Sequence, residues 1–184
     1  MGIDPGLASV GYGIIQHDEG RSHMLCSGCI STTPAQALSD RLRYIHDSLV
    51  ALIDEWKPDA ASIEQLFFCT NVRTAIAVAQ ARGVCILATA RSGIEVVEYT
   101  PMQVKSGVVG YGKASKLQVE KMVKAILGLQ EAPATNHAAD ALALALCHAH
   151  TQKYVRIKTS PEERRDGWNQ ERYRAALASR RRRR

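Results

Sequence analysis

The chain has 184 residues, 46% of them hydrophobic and 23% charged, and a formal net charge of +6. That size and apolar share fit one globular domain with a proper core, while no apolar run approaches a membrane span and the start is no secretory signal. Five cysteines (Cys26, Cys29, Cys69, Cys85 and Cys147) are an odd number spread through apolar segments, which fits buried thiols in a reducing cytoplasm. Cys26 and Cys29 form a C-x-x-C, but with no second pair they set out no zinc site.

In chain order, residues 1–4 read as a short opening strand ending in Asp4 and the turn pair Pro5-Gly6. Residues 8–17 and 22–31 read as strands flanking the turn Asp18-Glu19-Gly20, so the first three strands form an antiparallel trio. Over 37–57, Leu38, Leu42, Ile45, Leu49, Leu52, Ile53 and Trp56 recur at helical spacing, and Pro58 is expected to stop that helix. A strand at 59–65 and an Ala/Val-rich helix at 71–91 follow, then a fifth strand from Ile94 to Tyr99. Pro101 suits the first turn of a helix running to Val109, with Thr100 as its cap. Gly110-Tyr111-Gly112 breaks the chain before a helix at 114–128, and a last Ala/Leu helix runs from near Asn136 to His150. Three strands followed by alternating strands and helices predict an α/β fold, a five-stranded mixed sheet with helices on both faces.

The charge divides the chain. Residues 156–184 hold eleven Lys/Arg against four Asp/Glu, and residues 1–155 hold thirteen against fourteen. The expected organisation is a folded domain over 1–155 and a basic tail over 156–184. A short helix over Glu162 to Arg174 is conceivable in that tail, and Ser179 followed by five arginines reads as disordered. Within the body, residues 105–124 carry Lys105, Lys113, Lys116, Lys121 and Lys124 against only Glu120, a patch suited either to a polyanion or to a solvated helix face.

Four residues carry the chemistry: Asp4, Glu64, His137 and Asp140. Glu64 closes an apolar run, where a carboxylate is costly without a partner. His137 and Asp140 are three apart and share a helix face. Three of the four have a plain alternative: Asp4 as a turn former, and His137 and Asp140 as residues of the helix's first turn, where an acidic group complements the dipole. Together, three carboxylates and an imidazole would repel or stay poorly solvated unless a cation joined them. The set points to a metal-dependent hydrolase acting on a phosphodiester.

Six short motifs occur in order: Gly2-Ile3-Asp4-Pro5-Gly6, Gly11-Tyr12-Gly13, Ile63-Glu64-Gln65, Gln80-Ala81-Arg82-Gly83, Gln103-Val104-Lys105, and His137 to Ala143. On these, residues 2 to about 150 resemble the RuvC family of bacterial Holliday-junction resolvases, within the ribonuclease H-like superfamily. The resemblance implies a ribonuclease H-like fold and a homodimer that makes paired nicks in a four-way DNA junction during recombination and repair. It also implies a partnership with the RuvA–RuvB branch-migration complex. Asp4, Glu64, His137 and Asp140 become the catalytic metal ligands, with Asp4 bridging. Two Mg²⁺ ions, or Mn²⁺ in their place, suit phosphodiester hydrolysis because each flanks one side of the phosphorus.

Phe67 matches an aromatic that stacks on a base near the crossover, with its neighbour Phe68 expected to pack in the core. Lys105 and Lys116 match basic residues near the scissile phosphate, and Lys113 and Arg73 are further candidates for DNA backbone contacts. Two departures stand out. The position of His137 is a carboxylate in much of the family, and an imidazole shifts preference toward Mn²⁺. The opening strand has only Met1 to Ile3 ahead of Asp4, which leaves a truncated start open. The competing readings are a related nuclease cutting single strands or RNA hybrids, an actin-like ATPase sharing the Asp-Pro-Gly loop, and a junction-binding protein with no metal requirement.

Overall fold

The computed structural model describes residues 1–65 and 72–158. Among these the order is β1 (Gly2–Asp4), β2 (Ser9–Asp18), β3 (Arg21–Ser31), α1 (Leu38–Trp56), β4 (Ala60–Glu64), α2 (Val72–Arg91), β5 (Glu95–Tyr99), α3 (Pro101–Val109), α4 (Lys116–Leu127) and α5 (Asn136–Lys158). The chain divides into Met1–Thr151, which holds the sheet, and Gln152–Arg184, of which only the end of α5 is described. Among the described residues no helix is long and apolar enough to cross a membrane.

The five strands form one sheet in the order β3-β2-β1-β4-β5. β1 pairs antiparallel with β2 and parallel with β4, and β4 pairs parallel with β5. The sheet is therefore mixed, as the element pattern predicts. β1 is only three residues long, yet it is hydrogen-bonded on both sides. Its neighbours hold it in place of its own length.

Strand alternation sends successive side chains to opposite faces. Ile3, Val10, Ile14, Ala61 and Ile63 point one way and pack with Ile45, Leu49 and Ile53 of α1 and with Ala81, Cys85 and Ala88 of α2. On the other face, Tyr99 and the partly buried Ile15 and Val97 meet α3, α4 and α5 through Val104, Val108, Val119, Val123, Leu142 and Leu146. Helices thus cover both faces.

The second face is where glycine matters. A Cβ on Gly2 would collide with the Ala141 carbonyl, and one on Gly11 with the His137 carbonyl. At Gly13 it would stand 2.8 Å from the Leu142 backbone nitrogen. Bare backbone on β1 and β2, facing the small residues Ala138, Ala141 and Ala145, lets α5 lie directly on the sheet. That seating brings the start of α5 over the end of β1.

Three of the helix ends that differ from the sequence expectation trace to the local sequence. Lys57, in the left-handed conformation at φ 45°, terminates α1 one residue before Pro58, its N–H bonding to the Ile53 carbonyl. α4 starts at Lys116 because Ser115 forms a capping box with Gln118, leaving the buried Ala114 ahead of the helix. α5 continues past His150 to Lys158, so the expected boundary at 155 falls inside a helix. No Gly or Pro lies between His150 and Lys158, and nothing local stops the backbone ladder where the apolar pattern ends. Phe67 and Phe68, the Arg73 side chain and residues 159–184 lie outside the described residues.

Candidate active site

Asp4 and Glu64 close two adjacent parallel strands. Their neighbours Ile3 and Ile63 are fully buried toward α1 and α2, so alternation turns both carboxylates to the α5 face. The register pairs Gly2 with Ser62 and Ile3 with Ile63, which sets Asp4 and Glu64, the next residue of each strand, side by side. α5 brings the other two. Thr135 caps it, its hydroxyl accepting from the Ala138 N–H at 3.1 Å and standing 2.8 Å from Cys29 Sγ on β3. The cap and the contact at Gly11 fix the first turn, and His137 and Asp140 project from it toward the strand ends.

The charges meet in pairs. His137 Nδ1 lies 2.7 Å from Asp4 Oδ2. An ionised carboxylate can only accept, so Nδ1 is the donor to it, and a neutral imidazole donating there keeps its lone pair on Nε2. Lys116 Nζ donates to Asp140 Oδ2 at 2.8 Å. Burial raises the Asp4 carboxyl above its ordinary range, opposed by His137 and Lys116 and reinforced by Asp140. Among the described residues Glu64 has no such partner. Burial, then repulsion from Asp4 and Asp140, pushes it up to about 7 against the pull of Lys116 and Lys105. The Asp140 hydrogen bond in turn raises the Lys116 ammonium.

Glu64, Lys105, Lys116 and Asp140 line one cleft of about 260 Å³, walled by Pro101, Val104, Val119, Ala143 and Leu144. Apolar walls and opposed charges make it a place where ionic interactions are strong. Among the described residues, no three His, Cys, Asp or Glu side chains stand as a ready-made metal cage, Asp140 being held by Lys116 and His137 by Asp4. The donor chemistry nevertheless fits a hard divalent cation. Glu64 and Asp140 line the apolar-walled cleft, Asp4 stands beside Glu64 on the neighbouring strand, and Glu64 is the carboxyl whose ionisation is most suppressed among the described residues.

Of the residues singled out in the sequence, Glu64, Lys105, Lys116 and Asp140 line the cleft, and Asp4, joined to His137, stands beside Glu64 at the strand ends without lining it. Lys113 is exposed in the loop between α3 and α4 and does not line the cleft. Two residues of the site went unassigned from sequence. Thr135 had a signal, a hydroxyl directly before the helix start. Arg82 sat within one of the six motifs without a role. Its Nε donates to the Glu64 carbonyl at 3.1 Å and its Nη2 lies 2.7 Å from Glu98 Oε2.

Residues 1–148 match the family model described as crossover junction endodeoxyribonuclease RuvC. The chain is 49% identical over 157 residues to the crossover junction endodeoxyribonuclease RuvC of Alkaliphilus oremlandii, covering 85% of this chain and 96% of that one. It is 48% identical over 153 residues to that of Ruminiclostridium cellulolyticum, covering 83% and 92%. Among solved structures, T. thermophilus RuvC in complex with a Holliday junction substrate superposes with a TM-score of 0.81 at 35% identity, over 84% of this chain and 94% of that one. The yeast mitochondrial Holliday junction resolvase Ydc2 shares the fold at a TM-score of 0.60 and 13% identity, over 85% and 80%.

Proposed function

The chain belongs to the RuvC family of crossover junction endodeoxyribonucleases, and on that premise we propose that it resolves four-way DNA junctions by paired, metal-dependent phosphodiester hydrolysis. The observation that carries the reading is that Asp4 and Glu64 end the adjacent central strands β1 and β4 where the start of α5 brings His137 and Asp140, beside a cleft that also holds Lys105 and Lys116. Residues up to 136 positions apart in sequence meet there, and we read the set as ligands for cations that hold the scissile group.

The carboxylates of Asp4, Glu64 and Asp140, with His137 through Nε2, would hold two Mg²⁺ ions, with Mn²⁺ as an effective substitute. Bound there, the cations would neutralise the carboxylates and supply Lewis acidity on both sides of the phosphorus. The chain's own groups do the rest. Asp4 orients the His137 ring through Nδ1, as carboxylates do for ligating histidines. Lys116 exchanges Asp140 for a non-bridging phosphate oxygen when DNA enters, and Lys105 meets the same group from α3. In the hydrolysis a water oxygen bonds to phosphorus while one ester oxygen leaves and takes up a proton.

Wider features of the reading follow the family. Each active site cuts one strand, so two symmetric nicks call for a homodimer. Phe67 stacks on a base at the crossover, Arg73 and Lys113 hold the DNA backbone, and the RuvA–RuvB complex presents the junction in the cytoplasm. The basic tail, bounded in sequence at 156–184, starts within α5, and its residues beyond Lys158 differ from the domain in composition by their excess of arginine. The test is cleavage of a labelled synthetic four-way junction beside a linear duplex of the same sequence, with Mg²⁺, with Mn²⁺ and with chelator. Paired nicks in the junction alone, abolished by chelator, are expected. Equal cutting of the linear duplex, or cutting in chelator, overturns the reading.

A further inference from the structure

Arg82 is set apart by what it touches. Its side chain is only 16% exposed, wedged between α2 and the ends of β4 and β5. Nε donates to the backbone carbonyl of Glu64 at 3.1 Å, and Nη2 reaches the Glu98 carboxylate of β5 at 2.7 Å. Glu64 is the last residue of β4, opposite Tyr99, and among the described residues the bond from Gln65 N–H to the Tyr99 carbonyl, at 2.9 Å, continues the pairing beyond it. At a strand end the terminal side chain swings with small changes in backbone angle. A planar guanidinium making two bonds at once restrains direction as well as distance.

From these contacts we infer that Arg82 is a positioning residue, clamping the Glu64 backbone so that the Glu64 carboxylate is aimed into the cleft. The inference rests on the reading of Glu64 as a cation ligand. Arg82 does not touch the cleft, whose lining it does not join. Its two bonds run to protein groups, so its guanidinium is engaged away from phosphate. Glu98 belongs to the same device: it sets the fork, and the fork holds the carbonyl.

Mn²⁺ binding to the metal-free protein by calorimetry is the first readout, followed by single-turnover junction cleavage against Mg²⁺ concentration and junction binding in chelator. For Arg82→Gln, Mn²⁺ affinity should fall about 10-fold or more and the Mg²⁺ needed for half-maximal cleavage should rise by a similar factor, the scale on which groups behind metal ligands act. Junction affinity without metal should stay within about twofold, because no group that meets phosphate is removed. Arg82→Lys should fall between, with excess Mg²⁺ restoring most of the rate.

Unchanged Mn²⁺ affinity in folded Arg82→Gln overturns the inference. So does weaker junction binding with a flatter salt dependence, which would make Arg82 a phosphate contact. If Arg82→Gln does not fold, Glu98→Gln decides, because it removes only the ion pair. A several-fold weaker Mn²⁺ affinity there supports the clamp, and an unchanged one sinks it. The underlying reading fails differently. Glu64→Gln with wild-type Mn²⁺ affinity removes the ligand role and the clamp together, whereas wild-type protein that binds Mn²⁺ through Glu64 but cuts no junction loses the proposed function and leaves the clamp standing.

Discussion

Among the described residues Glu64 is the carboxylate whose ionisation the fold suppresses most, and this has consequences that do not need DNA. Its folded value of about 7 stands above the ordinary 4.5, so the folded state holds the proton more tightly than the unfolded chain. The stability this contributes is complete below about pH 4.5 and is lost as pH rises toward 7. In chelator, Glu64→Gln should melt with the wild type near pH 4.5 and above it at pH 8. The gain should be about 1–2 kcal/mol, since Glu64 is half-buried and water relieves part of the penalty. Equal melting temperatures at pH 8 would mean that the carboxylate is not destabilised by its neighbours. In the same cleft, Asp4→Asn and Glu64→Gln should each abolish junction cleavage while leaving binding intact or tighter, because each removes a cation donor and a charge that repels phosphate. Turnover at the wild-type rate in either variant, measured on a labelled junction, would remove that residue from the catalytic set. His137 is more discriminating. His137→Ala should cripple cleavage. His137→Asp should recover much of it but demand more cation, because without cation it sets a second carboxylate where the imidazole now donates to Asp4. A wild-type Mn²⁺ over Mg²⁺ preference that exceeds the aspartate variant's fits an imidazole ligand, and an identical preference in the two counts against it.

At the level of elements, the site depends on how closely α5 lies on the sheet. The comparison of two glycines tests this. Gly11→Ala would drive a methyl group into the His137 carbonyl, so the first turn of α5 must move. A destabilisation of about 1–3 kcal/mol in a thermal or denaturant melt is expected, together with a fall in cleavage larger than the fall in stability explains. Gly83 lies inside α2 with nothing near the position a Cβ would take. Gly83→Ala should therefore stabilise by about 0.5–1 kcal/mol and leave cleavage unchanged. If both substitutions have the same sign, close approach at Gly11 is not what positions the helix. The caps act in the same way on a smaller scale. The two capping boxes, at Thr100 with Gln103 and at Ser115 with Gln118, fix the starts of α3 and α4, and through them the elements that carry Lys105 and Lys116.

Over the whole molecule the charge is uneven. Residues 159–184 hold nine Lys/Arg against four Asp/Glu. Deleting them leaves α5 its full described length to Lys158 and every residue of the cleft. The truncated protein should keep metal-dependent cutting, bind nonspecific duplex more weakly, and show a shallower fall of binding with salt. The log–log slope should drop by about 0.9 for each phosphate that the tail no longer neutralises. Unfolding of that variant, or outright loss of cleavage, would make the tail part of the working structure.

The sequence by itself determined the kinds of element and most of their limits, because these rest on short-range physics. Alternation over 8–17, helical spacing over 37–57 and the Thr100-Pro101 start of α3 are each legible within a few residues. It also marked the four candidate site residues, although composition or spacing alone would have left Asp4 a turn former and His137 a first-turn residue. What the tertiary structure decided was everything that joins distant residues. That His137 donates to Asp4, that Lys116 holds Asp140, and that Arg82 bonds the Glu64 carbonyl all depend on strand order and on which face α5 covers. The glycines show why. In sequence, Gly2, Gly11 and Gly13 read as weak points of two strands, and only the seated helix turns them into the surface that brings the site together. Periodicity reports which side of an element is apolar, but not which partner lies against it, because the partner is chosen by packing over the whole sheet.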